Sequence, residues 1–485
     1  MASQLPRRTI LFVPFAAQGH VGPMLQLARA LADRGDVSVI VAVPDFIHRR
    51  MGQYRGDDGN GVVLVSVPSG VQDDGGDEPP GAAVIVHAME HQVPSQLERM
   101  LSTMQGISCV VVDLLSSWAI PVAARWGLPV VGFWVGMMAT YRSVTVIPEL
   151  IKTGFVTGSG TLLSTDVNDE DNFIKHHHDL GDLHILPAKL KLRARDLPWL
   201  VNGAVSQKTR FAFWLQIVKR AKSLRSIIVN SFPGEGGIES DGYDRPQGQQ
   251  FLHVGPALLN EDLKKKTSMW QADQTCIDWL DTQSPGSVIY VSFGSWAAPI
   301  EPDKITGIAR GLEATGRPFL WALKNHPSWR AGLPDGYIEN VAGRGKIVSW
   351  APQDDVLKHE AVGCYVMHSG WNSVMEALRH GVRMICYPIC GDHFVNCAYV
   401  VNMWKAGIAL PSSDERDVKD CVERVMEGEE GRRLQEKVNE LREVITGEAL
   451  CVARKNINLF MEEIINNDEA DECTEIGQET KPYNP

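Results

Sequence analysis

The sequence predicts an α/β protein built as two doubly wound parallel-sheet domains, and three observations carry that expectation. The chain has 485 residues, more than one hydrophobic core organises. Short apolar runs alternate with helix-period segments in both halves, which is the rhythm of strand–helix–strand units. The runs themselves are continuously apolar, as in strands buried on both faces of a parallel sheet.

In the first half, 10–15, 37–43, 62–67, 109–115, 130–134 and 227–232 read as strands. Between the first two, Met24, Leu27, Ala28 and Leu31 recur at helical spacing. The stretch 148–191 breaks the rhythm. It is polar and contains His176, His177 and His178, but three consecutive side chains cannot converge on one ion, so it reads as a solvated loop. A second Gly-rich loop covers 235–250. A new rhythm begins near Thr275, with strands expected at 287–293, 319–323, 346–349, 364–367 and 384–387. A long helical pattern, 432–465, is interrupted near Gly447. The expected organisation is a first domain over 1–252, a linker over 253–275 and a second domain over 276–448. A C-terminal helix follows at about 449–466, and an acidic tail, 467–485, is too polar to bury a core and is expected to be disordered.

Composition narrows the function classes. The formal charge of -12 argues against nucleic-acid backbones and anionic membranes as main partners, since both select a basic face. A local basic pocket can still take a diphosphate. The nine cysteines are odd in number, include no CxxC pair and lie mostly in apolar stretches, which points to reduced thiols and a cytoplasmic setting. The start, MASQLPRRTILFVPF, reads as a first buried strand rather than a signal peptide. No apolar span of 18 residues exists, so no transmembrane helix is expected.

The chemistry concentrates between Trp350 and His393. Trp350 ends an expected strand, at the sheet edge where open α/β folds bind ligands, and an indole there suits stacking on a flat base. The strand 364–367 leads into His368, Ser369, Gly370, Trp371, Asn372 and Ser373. A helix begins there, and its N-terminus is a phosphate site by its free N–H groups and dipole. Asn372 and Ser373 supply capping groups. Glu376, one turn on, can accept from ribose hydroxyls. Asp392, after a third strand, can accept from a sugar. In the first half, His20 follows strand one and Asp113 ends strand four. Those strands are neighbours at the switch point of a doubly wound sheet, so the two side chains can meet there. The imidazole would act as base and the carboxylate would fix its tautomer. The sequence GHVGPM stands where a dinucleotide fold needs GxGxxG, which disfavours a nicotinamide dehydrogenase.

The 44 positions from Trp350 to His393 resemble the plant secondary-product signature of the UDP-glycosyltransferases. The PFAAQGHVGPM start, the CVVVDLL strand and the Phe293-Gly294-Ser295 turn resemble the family too, so the likeness covers all but the tail. It implies the GT-B fold, two Rossmann-like domains facing across a cleft, with the last helix crossing back to the first domain. It implies an inverting, metal-independent hexosyl transfer with His20 and Asp113 as the catalytic pair, and no cofactor beyond the UDP-sugar. Trp350, Ala351 and Gln353 would contact uracil and ribose, Glu376 the ribose, and Ser295, His368, Asn372 and Ser373 the diphosphate. Trp371, Asp392 and His393 would contact the sugar, with Gly19 and Gly370 framing the site. Ser369 replaces the usual Cys. His393 replaces the usual Gln, which opens UDP-galactose beside UDP-glucose as donor. A non-catalytic UDP-sugar-binding protein is the other alternative. The acceptor is expected to be a small lipophilic metabolite such as a phenolic, flavonoid or terpenoid. Candidate pocket residues are Phe15, Trp118, Phe133, Trp134, Met137, Met138, Tyr141 and Trp199. A monomer is expected. The acidic triplet 169–171 forms a DxD in a polar loop and reads as solvated surface rather than a metal site.

Overall fold

A computed structural model of the chain describes residues 8–51, 61–73, 75, 80–161, 197–200, 204–235, 248–259, 268–295 and 300–475. The histidine run 176–178, the acidic triplet 169–171 and the last stretch, 476–485, lie outside the described residues.

Seven parallel strands form the first sheet: β1 (Arg8–Val13), β2 (Val37–Pro44), β3 (Val62–Val67), β4 (Ile107–Asp113), β5 (Val130–Trp134), β6 (Ser226–Val229) and β7 (Gln250–His253). Their order is β3-β2-β1-β4-β5-β6-β7, so the chain reverses direction across the sheet between β1 and β4. The apolar run of β1 is buried on both faces, with Ile10, Leu11 and Phe12 at 0% exposure. Helix α1 (Gln18–Ala32) follows, packing Val21, Met24, Leu25, Leu27, Ala28 and Leu31 inward. The short helix α2 (Asp45–Arg50) follows β2.

Six further parallel strands form the second sheet: β8 (Val288–Ser292), β9 (Phe319–Ala322), β10 (Gly345–Val348), β11 (Val362–Met367), β12 (Arg383–Cys386) and β13 (Gly407–Ala409). Their order is β10-β9-β8-β11-β12-β13, with a second switch point between β8 and β11. Helix α3 (Trp371–His380) leaves β11 and closes on Gly381 in the left-handed conformation. Each sheet holds an edge strand, β7 and β13, beyond those read from the sequence.

Helix α4 (Gly428–Thr446) ends at Gly447, and α5 (Glu448–Glu475) turns back to the first domain. Its Ile457, Phe460, Met461 and Ile464 join the first domain's core, and Asn456 Nδ2 donates to the His253 carbonyl at 2.9 Å. The α5 backbone stays helical through Glu475, where disorder from 467 was expected. Extending a formed helix costs far less than nucleating one, so its acidic end continues the turn pattern.

Candidate active site

The two switch points face each other, and the side chains that matter sit at the ends of β1, β4, β8, β10 and β11. Asp113, the last residue of β4, is fully buried. Its Oδ2 accepts from His20 Nδ1 at 2.7 Å and from Phe15 N at 3.2 Å, and its Oδ1 accepts from Leu115 N at 2.9 Å. A carboxylate with three donors is satisfied and immobile. It can only accept, so His20 carries its proton on Nδ1 and Nε2 is the basic nitrogen. His20 stands on the first turn of α1 and its side chain is 17% exposed. Phe15 packs edge-on against its ring at 5.3 Å.

A cavity of about 500 Å³ opens beside this dyad and draws its walls from both domains. Gln18, Gly22, Gln26 and Asn230 line it from the first. Ser295, Trp350, Ala351, Gln353, His368, Asn372, Ser373 and Glu376 line it from the second. Such a volume suits a nucleotide-sized ligand. A crevice of about 590 Å³ at the other end of α1, with Arg34, Arg379 and Arg454 in its walls, contains none of these residues, and His20 and Asp113 line neither space.

Gln353 is the best-anchored polar group of the cavity. Its Oε1 accepts from Tyr365 OH at 2.9 Å and Tyr290 OH at 3.2 Å, and its Nε2 donates to Glu376 Oε2 at 2.6 Å and Ser373 Oγ at 3.1 Å. The two tyrosine rings stack at 4.8 Å. This network fixes the Glu376 carboxylate one turn into α3. Ser373 therefore serves Gln353 and does not cap α3, and Asn372 does not cap it either: its Nδ2 donates to the Gly19 carbonyl at 2.8 Å and its Oδ1 accepts from Asn230 Nδ2 at 3.0 Å. The capping role expected of both is corrected here. Interdomain and network bonds claim the side chains, and no side chain caps the start of α3.

His368 lies beneath the cavity, 9% exposed, with Nδ1 buried and unpartnered. Burial, with His393 nearby, pushes its pKa down to about 3. His393 meets it edge-on at 4.7 Å, and burial pushes His393 down to about 4, helped by the Arg210 charge. Both rings are therefore neutral near pH 7. His393 Nδ1 accepts from Cys390 N at 3.3 Å, so its proton sits on Nε2. Burial raises the Asp392 carboxyl, while Asn396, donating to its Oδ2 at 2.8 Å, opposes the rise.

Trp371 sits at the interface of the two domains. Its indole does not line the cavity. It is 4% exposed, donates from Nε1 to the Asn230 carbonyl at 2.5 Å, and stacks near Phe232 and Trp404. It packs the two domains together. Gly19 contributes its carbonyl to Asn372, and Gly370 leads into α3 against the His368 ring.

Of the acceptor candidates, Phe15 packs against His20. Phe133 and Trp118 fill the first domain's core at 0% and 3% exposure. Trp199 is fully buried against Phe211 in a satellite cluster. Trp134 and Tyr141 pack together at 5.3 Å, and Trp134 Nε1 donates to the Met137 carbonyl at 2.9 Å. Met137 belongs to the second domain's core cluster, with Met138 at 8% exposure beside it. A strand-end position alone does not separate core aromatics from lining ones, and most of these are core.

Residues 256–441 match the family model described as UDP-glucoronosyl and UDP-glucosyl transferase. The chain is 41% identical to UDP-glycosyltransferase 82A1 of Arabidopsis thaliana over 478 residues, covering 94% of this chain and 98% of the relative. It is 28% identical to (R)-mandelonitrile beta-glucosyltransferase of Prunus dulcis, with 89% and 91% covered. Among solved structures, an anthocyanidin 3-O-glucosyltransferase bound to UDP superposes with a TM-score of 0.76 at 23% identity, with 95% and 99% covered. Phytolacca americana UGT2, complexed with UDP-2-fluoro-glucose and pterostilbene, gives 0.73 at 24% identity, with 94% and 99% covered.

Proposed function

The chain belongs to the plant UDP-glycosyltransferase family and is a hexosyltransferase of the GT-B fold, and from that premise we propose a specific reaction. His20 Nε2 takes the proton of an acceptor hydroxyl, and the oxygen attacks the anomeric carbon of a UDP-hexose from the face opposite UDP. The C–O bond to the diphosphate breaks and UDP leaves with the electron pair. One displacement inverts the anomeric centre. Asp113 stabilises the imidazolium formed. The observation that carries this reading is the 2.7 Å contact of His20 Nδ1 with the buried, three-donor Asp113, with His20 on a helix whose Gln18 and Gly22 wall the cavity that the signature residues line from the other side.

On the donor side, Trp350 and Ala351 would seat uracil, Gln353 and Glu376 the ribose, and Ser295, His368 and the first turn of α3 the diphosphate. His368 lines the cavity at the start of that turn, where a phosphate would meet it. The leaving charge falls on these donors, so the reaction proceeds without a metal. Asp392 and His393 would meet the hexose. We read the donor as UDP-glucose, with support from the glucosyltransferase named among the relatives and the UDP-2-fluoro-glucose held by a structural neighbour. UDP-galactose is the second reading, favoured by His393. The acceptor is a small lipophilic hydroxyl compound, comparable to the pterostilbene held in that neighbour's complex, and the setting is the cytoplasm.

The test is His20→Ala, assayed with one phenol and one aliphatic alcohol against UDP-glucose and UDP-galactose. Turnover of the alcohol should fall about 10²–10⁴-fold with UDP affinity retained. Near-wild-type turnover of the alcohol would remove His20 from the mechanism.

A further inference from the structure

The segment that enters the second domain crosses the cleft beside the base-stacking edge, and it is pinned at both ends. Met269 N donates to Gln18 Oε1 at 2.8 Å, two positions from His20. Asp273 N donates to the Trp350 carbonyl at 2.8 Å. Between these pins Trp270 holds its indole 4.8 Å from that of Trp350, tilted by 30°.

Two cations frame Trp270. The Arg50 guanidinium, at the end of α2, lies 5.7 Å from its ring centroid, and the Lys324 ammonium lies 5.4 Å away. Both are held elsewhere as well. Arg50 pairs with Asp73 through Nε at 2.7 Å and Nη2 at 2.6 Å, with both side chains 2% exposed. Lys324 sits 4.5 Å over Trp329 and donates to the Ser295 carbonyl at 2.7 Å. A fixed cation over an indole face restrains the ring's tilt. The cavity is lined by Ser268, Ala272 and Trp350 but not by Trp270, so Trp270 lies outside the space a base would enter.

We propose that Trp270 is a positioning residue for nucleobase recognition: it backs the Trp350 indole and, seated by Arg50 of the first domain, fixes the plane on which the base stacks. The inference rests on the reading of Trp350 as the base platform. A backed ring has already lost its rotamer freedom before the base arrives, so binding does not have to supply that ordering. The assignment also explains why an ion pair of the first domain is buried against the linker near the nucleotide end of the cleft.

Calorimetric titration with UDP and with pyrophosphate, which has the phosphates but no base, tests it on Trp270→Ala and Trp270→Phe. Trp270→Ala should raise the UDP Kd about 5–20-fold, within the range that base stacking commands. Trp270→Phe should restore most of the loss. Pyrophosphate affinity and acceptor KM should stay at wild-type values. In a Trp350→Ala background, Trp270→Ala should have no further effect on UDP. Three outcomes overturn the inference while leaving the donor site intact: unchanged UDP affinity, equal weakening of UDP and pyrophosphate, or tighter UDP binding in Trp270→Ala. Failure of the wild type to bind UDP would overturn the donor-site reading, and this inference with it.

Discussion

At the scale of single residues, the site is a set of polar atoms whose partners leave one atom each for chemistry. Three donors hold the Asp113 carboxylate, and its bond to Nδ1 leaves His20 Nε2 as the basic nitrogen of the pair. Asp113→Asn should therefore lower kcat with little change in UDP affinity, because an amide can hold the ring but cannot stabilise an imidazolium. A loss seen only in UDP binding would move Asp113 out of the proton path. His393 is spent in the same way. Its Nδ1 already accepts from Cys390 N, so it can offer a sugar one donor, where a glutamine offers a donor and an acceptor. Glucose and galactose differ only at the 4-hydroxyl, and one unmatched buried hydrogen bond there is worth about 1–3 kcal/mol. His393→Gln should shift the ratio of kcat/KM for UDP-glucose over UDP-galactose upward, measured with one acceptor. An unchanged ratio would make the position permissive. The pKa of His393, pushed down to about 4, adds a stability signature. The folded value lies below the ordinary 6.5, so stability is intact above about 6.5 and is lost as pH falls toward 4. His393→Gln should thus lose less Tm than the wild type between pH 7.5 and 5. At this scale the meeting of His20 and Asp113 was legible, because each follows an apolar run at neighbouring strand ends. The sequence hid Asn230, which follows β6 with no motif around it, and Trp270, whose linker carries no periodicity. The Tyr290 and Tyr365 hydroxyls, buried within strands that read simply as apolar, were hidden too.

At the scale of elements, the turns after β8 and β11 decide where His368 can sit. Gly294 has φ of 85°, and a Cβ there would come within 2.6 Å of His368 Nε2. At Gly370 a Cβ would come within 2.3 Å of the same atom. Two loops are thus pared to backbone around one imidazole, while Ser369 between them takes φ of 66° with a side chain present. Gly294→Ala combines left-handed strain of about 1–3 kcal/mol with displacement of the ring. It should lower Tm and weaken UDP and pyrophosphate binding together, in contrast to Trp270→Ala. Wild-type affinity for pyrophosphate in Gly294→Ala would show that His368 is not held by this turn. The two-sheet architecture was legible because central parallel strands are unbroken apolar runs. The edges were not. β13 is three residues long and β7 four, too short to separate from loop by pattern, and their pairing with β12 and β6 is a tertiary choice.

At the scale of the whole molecule, the helix that ends the chain belongs energetically to the domain that begins it. Phe460 is 1% exposed within the first domain's core, beside Ile457 and Met461. Across the cleft, Trp371, Phe232 and Trp404 pack the domains directly, and Trp404 Nε1 donates to the Glu235 carbonyl at 2.9 Å. The second domain cannot unfold without pulling α5 from the first, so the two should melt as one cooperative unit despite having separate sheets and cores. Phe460→Ala removes a buried ring worth about 3–5 kcal/mol from the face of α5 that packs on the first domain's core. Scanning calorimetry should then resolve two transitions in place of one, with the lower belonging to the first domain. Because the proposed donor site lies mainly on the second domain, UDP should raise the upper transition of this variant more than the lower, by mass action on the folded form that binds it. A single transition that shifts down intact would mean that the cleft contacts, rather than α5, carry the coupling. In that case the paired substitution Trp371→Phe with Trp404→Phe, which keeps the ring volume near the interface but removes both interdomain N–H donors, should produce the split that Phe460→Ala did not.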